Sequence, residues 1–107
     1  MKIIKFPAAD ETTACLLDVP DNLQALRDAI GAEKLRIIRF ELDVCLVYDS
    51  HGAEKELPFI AEIPGLDDFI NIFGIHGDVL VVGIGKNHLC DVPDKYIDFV
   101  FGGATTL

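Results

Sequence analysis

The sequence has no long hydrophobic run, few cysteines and few basic residues. Its strictly apolar runs are only a few residues long, Val79-Leu80-Val81-Val82 being typical. A membrane-spanning helix needs about 20 such residues, so membrane spanning is excluded as an expectation. The opening Met1-Lys2-Ile3-Ile4-Lys5-Phe6 resembles the charged start of a signal peptide. Pro7 and Asp10-Glu11 then interrupt it before any apolar core develops. Three cysteines, Cys15, Cys45 and Cys90, are an odd and widely spaced set in apolar surroundings. Buried free thiols in a reducing compartment fit them best, and the expected location is cytoplasmic.

The scarcity of basic residues is local. Residues 1–40 hold six basic and six acidic side chains, whereas residues 41–107 hold three basic and twelve acidic, so the whole formal charge of −9 falls in the second stretch. A phosphate backbone is repelled by such a surface. Lys34, Arg36 and Arg39 form the one basic cluster, too small for a nucleic-acid footprint, so direct nucleic-acid binding is not expected. Half of the 107 residues are hydrophobic, enough for one folded domain without disulfides or metals.

Along the chain, Lys2–Phe6 and Thr12–Leu17 read as strands around a turn at residues 7–11. The stretch Asp-Val-Pro-Asp occurs twice, at Asp18–Asp21 and Asp91–Asp94. In the first copy Asp21 is predicted to cap a helix whose stripe is Leu23, Leu26 and Ile30, with Gln24 completing a capping box and Gly31 ending it. In the second copy Asp91 is predicted as the cap, with Pro93 in the first turn of a helix running to Val100. Both valines are expected to point inward. Four matching residues are too little for a duplication, and these aspartates are not expected to be catalytic.

Lys34–Phe40 and Leu42–Tyr48 read as strands joined tightly near Glu41–Asp43. Val44–Tyr48 is apolar enough to lie centrally with both faces covered. Asp49-Ser50-His51-Gly52 is a turn, and Asp78–Ile84 is a second core strand. Residues 66–73 read as a helix through Leu66, Phe69, Ile70 and Phe73, with an extended run over residues 69–73 as the alternative. The expected class is α+β, a small mostly antiparallel sheet of about five or six strands with two or three short helices, because helices and strands do not alternate regularly. A single domain over residues 1–103 and a frayed tail at 104–107 complete the expectation.

This order, with Leu23-Gln24-Ala25-Leu26 and Gly31, then Leu57-Pro58, Ile75-His76-Gly77, Val79–Gly83 and Tyr96–Phe99, resembles a family of small uncharacterised bacterial and phage proteins, domain of unknown function 3846. The resemblance spans nearly the whole chain through turn and core positions. It implies no activity. The family's association with mobile elements suggests an accessory role. Phe59-Ile60 stand where a family-like Asn-Arg pair would follow Leu57-Pro58.

Four fragments carry candidate chemistry. Gly83-Ile84-Gly85-Lys86-Asn87 suggests an anion loop, but both the phosphate-loop and dinucleotide patterns are absent, so it reads as a turn after a core strand. His88-Leu89-Cys90 holds two zinc-type donors, with His76, His51, Cys15, Cys45 or a carboxylate as further donors at no recognised spacing. A Cys90–His88 or Cys90–His76 nucleophilic pair needs a third, orienting group, and residues 88–90 read as loop. The carboxylate pairs Asp67-Asp68 and Glu54/Glu56 read as acidic surface. No catalytic, metal or cofactor-binding residue is therefore assigned, and no cofactor is expected.

The leading expectation is a non-catalytic accessory protein acting through protein contact, with an apolar centre and an acidic rim. Phe59, Ile60, Ile63 and Phe69 either cover the core or form such a contact, and a homodimer is one form it takes. The alternatives are a small enzyme or metal- or ligand-binding protein using His76, His88 and Cys90, and an acidic nucleic-acid mimic that occupies a DNA-processing protein.

Overall fold

The computed structural model describes residues 1–8, 14–57, 75–86 and 88–101. Six strands form one antiparallel sheet: β1 (Lys2–Phe6), β2 (Cys15–Asp18), β3 (Leu35–Glu41), β4 (Val44–Asp49), β5 (Val79–Ile84) and β6 (Leu89–Cys90). The order across the sheet is β2-β1-β5-β4-β3, and β6 pairs with the far end of β5. Two helices are described, α1 (Leu23–Ile30) and α2 (Asp94–Phe101). The architecture is α+β.

The apolar runs become the centre for a simple reason. In a strand, alternate residues face opposite sides, so a run that is apolar at every position suits a strand covered on both faces. Every residue of β4 is buried, as are the first five of β5. On one face Ile4, Leu46, Tyr48, Val79 and Val81 pack with Val92 and Tyr96, and Ile97 and Val100 of α2 lie against them. On the other, Ile3, Cys45, Val47, Leu80 and Val82 enclose Leu26, with Ala29 and Ile30 of α1 alongside. The sheet is thus a middle layer with a helix on each side.

The helix entries differ from expectation. Asn22, not Asp21, caps α1: it is extended at φ −156° and its Oδ1 accepts the Ala25 amide at 2.8 Å. The capping box does not form, because Gln24 instead donates to Asp28 one turn on, at 2.8 Å. Leu23, expected in the stripe, is largely exposed, and the buried face is Leu26, Ala29 and Ile30. Gly31 ends the helix as predicted, left-handed at φ 65°. Asp91 does not cap α2, which begins at Asp94 after Pro93.

Both repeated stretches have a different task, at the start of β1. The Val19 amide donates to the Met1 carbonyl and the Val92 amide to the Lys2 carbonyl, each at 2.9 Å. Asp18 accepts from the Met1 amino group at 3.1 Å, and Asp91 accepts the Lys2 amide at 2.9 Å. The two copies therefore bracket the first strand. Val92 is buried and Val19 is half-buried, both toward the core.

Other boundaries shift slightly. The strand expected over residues 12–17 is described as Cys15–Asp18, β3 extends to Glu41 across a register shift after Arg39, and β4 starts at Val44. Residues 88–90, read as loop, include the short strand β6, because the Gly85 amide closes a tight turn on the His88 carbonyl at 2.8 Å. The helix or extended run expected over 66–73, the residues Phe59, Ile60, Ile63, Phe69, Asp67 and Asp68, and the tail all lie outside the described residues.

Candidate functional site

The three side chains of the enzyme reading do not converge. His76 precedes β5 and His88 follows it, and a six-residue strand separates its ends by about 17 Å. His88 and Cys90 do share a neighbourhood, since both lie against Gly85. His88 Nδ1 donates to the Lys86 carbonyl at 2.7 Å, and the ring is exposed. It lines a hollow of about 220 Å³ with Met1, Asp21 and Leu23 at the entry of α1. Cys90 is a poor nucleophile. Burial, then the carboxylates of Asp91, Asp21 and Asp43, push its thiol up, whereas reactive cysteines sit in electropositive surroundings that favour thiolate. Cys45 is buried and pushed up to about 11, chiefly by burial. Cys15, expected to be buried, is instead exposed, because β2 is an edge strand of the sheet. No group of three or more metal-type ligands occurs among the described residues.

His76 belongs to a second place, a polar cleft of about 300 Å³ beside the end of β4, lined also by Arg36, Tyr48, Asp49, Ser50 and Gly52. Arg36 and Tyr48 are cross-strand partners, which brings the guanidinium beside the phenol. Burial raises the Tyr48 hydroxyl above its ordinary range, and Arg36 offsets this only in part. Asp49 is the one buried charged residue among those described, at 4% exposure. Its Oδ1 accepts the His51 amide at 2.8 Å and its Oδ2 accepts Lys55 Nζ at 2.6 Å. Burial alone raises its carboxyl, but these partners outweigh burial and hold it below the usual carboxylate range. The carboxylate therefore ties down the turn after β4. His76 Nδ1 donates to the Leu57 carbonyl at 2.9 Å.

A third place is a surface. The β3–β4 connection is Leu42-Asp43, and Leu42 is 88% exposed at its tip. Asp43 pairs with Lys95 of α2 at 3.2 Å, which joins this turn to the helix. Phe99, one helical turn beyond Lys95 on the same flank, is 59% exposed and rests against Tyr96 at a ring separation of 5.9 Å. The Tyr96 hydroxyl is pushed up to about 12, by burial first and then by the charge of Glu41. Glu41 and Asp98, the chain neighbours of Leu42 and Phe99, and Asp94 at the start of α2 are exposed.

The family model for a domain of unknown function (DUF3846) matches residues 1–102. The chain belongs to that family. No curated protein matches it, and no solved structure does. The DUF3846 match runs through all six strands and both helices. The position of the family-like Asn-Arg pair, occupied by Phe59-Ile60, lies outside the described residues. Sequence reasoning missed both the cleft and the Leu42–Phe99 surface. Neither has a local spacing, because their members are joined only by strand register and one ion pair.

Proposed function

We propose that this DUF3846 chain is a non-catalytic accessory protein that binds a basic protein partner through the Leu42–Phe99 surface. The observation that carries the reading is that an exposed leucine and an exposed phenylalanine lie on two elements joined by the Asp43–Lys95 ion pair. A singly exposed leucine means little. Two large exposed apolar groups on elements joined by the Asp43–Lys95 pair offer a small apolar centre. Interfaces of this kind combine an apolar middle with a charged rim that sets partner choice and encounter rate. Glu41, Asp94 and Asp98 supply negative charge, so the complementary partner presents Lys or Arg around an apolar hollow. A second copy of the chain carries the same negative rim, and like charges oppose self-association at this surface.

The acidic-mimic reading has less support. Mimicry needs unpaired carboxylates spaced regularly to match phosphates, and the acidic residues of the sequence show no such spacing. A cytoplasmic setting is proposed from the three free thiols. No helix among the described residues is long and apolar enough to cross a membrane.

The test is a photo-crosslinking residue placed at Leu42 and, separately, at Leu16, an exposed leucine on β2. A discrete adduct to one basic protein from Leu42, absent from Leu16, is the expected result. An adduct only to a second copy of the chain, or equal adducts from both positions, overturns the reading.

A further inference from the structure

We propose that the cleft between Arg36, Tyr48, Ser50 and His76 binds a small molecule through an oxyanion, a carboxylate or phosphate group. This is independent of the protein-contact surface, which lies at the other end of β3 and β4.

The argument starts from charge. The molecule carries a formal charge of −9, yet the cleft is bordered by Arg36, from the one basic cluster of the sequence. A guanidinium presents parallel N–H donors that match two oxygens of a carboxylate or phosphate. The one carboxylate in the lining is Asp49, and Lys55 offsets its charge at 2.6 Å. That pairing also counts against a cation, since both Asp49 oxygens already accept protein donors.

The remaining polar groups suit an acceptor-rich guest. Tyr48, like any phenol, keeps its proton at neutral pH, and a phenol donates to an oxyanion. Ser50 makes only a long contact to the Lys34 carbonyl, 3.4 Å, and its hydroxyl turns readily toward a better acceptor. The wall is held in place by Asp49 on one side and by close backbone packing on the other. At Gly52 a β-carbon would meet the His76 carbonyl oxygen. A site with fixed walls loses little freedom on binding. The volume of about 300 Å³ is at the small end of ligand pockets, so the guest is a small molecule rather than a chain segment.

The test follows backbone amide shifts of the labelled protein during titration with inorganic phosphate and, separately, with acetate. Saturable shifts centred on Ser50, Gly52, Ala53 and His76 are expected. The tighter of the two probes tells whether the natural group is a phosphate or a carboxylate. R36Q weakens binding about tenfold, the worth of one charge-assisted contact. R39Q leaves it unchanged, because Arg39 is on the same strand but pairs with Cys45 on the opposite face. Absence of saturable shifts in the unaltered protein at tens of millimolar of either probe, or equal loss in R36Q and R39Q, overturns the proposal. The mapping on the unaltered protein holds whether or not the variants fold.

Discussion

Gly31 and Gly52 are glycines for different physical reasons. Gly31 is left-handed at φ 65° with open space where a side chain would go. Gly31→Ala therefore adds only backbone strain, about 1 kcal/mol. At Gly52 the added carbon runs into backbone, the His76 carbonyl, and no rotamer relieves it. Gly52→Ala is expected to cost about 3 kcal/mol, the upper part of the overpacking range. Urea unfolding of both variants checks the ranking, and a larger loss at Gly31 contradicts it. Asp49 gives a second prediction at this scale. Its carboxyl titrates lower in the folded chain than the ordinary 3.8. Its stabilisation is thus present above that value and lost as pH falls through the lower, folded one. Asp49→Asn is expected to flatten the decline in stability on acidifying below about pH 4. The same decline in variant and wild type, followed by thermal unfolding, contradicts this.

At the scale of elements, the entry of α1 separates two adjacent residues of similar chemistry. Asn22→Ala removes the acceptor for the Ala25 amide and is expected to cost about 1 kcal/mol. Asp21→Ala, outside the cap, is expected to change stability by less than about 0.5 kcal/mol. Denaturant midpoints of the two variants decide between them. The sequence could not, because Asp and Asn cap equally well and both precede Leu23. The core strands were legible for the opposite reason. Val44–Tyr48 and Val79–Val82 are short β-prone runs apolar at consecutive positions and bounded by turn residues, which suits a strand buried on both faces. β6 was not legible, since two residues have no periodicity and are held by pairing to Gly83 and Ile84. The polar cleft was equally hidden. Arg36, Tyr48 and His76 are spread over 40 residues, and the Arg36↔Tyr48 register that joins the first two is a product of the β3–β4 hairpin.

For the whole molecule, the sheet separates two kinds of surface. One end of the β3–β4 hairpin carries the polar cleft, and the other carries the exposed Leu42 next to Asp43, which pairs with Lys95 of α2. The net negative charge favours encounter with a basic partner, and salt weakens that attraction over a screening length of about 8 Å at physiological ionic strength. The most direct measurement compares retention of source-cell proteins by immobilised wild type, by Leu42→Asp/Phe99→Asp and by Leu16→Asp, at low and high salt. A basic protein held by wild type and Leu16→Asp, released by high salt and not held by the double variant, is the predicted result. The same proteins held by all three, with no dependence on salt, would contradict the account.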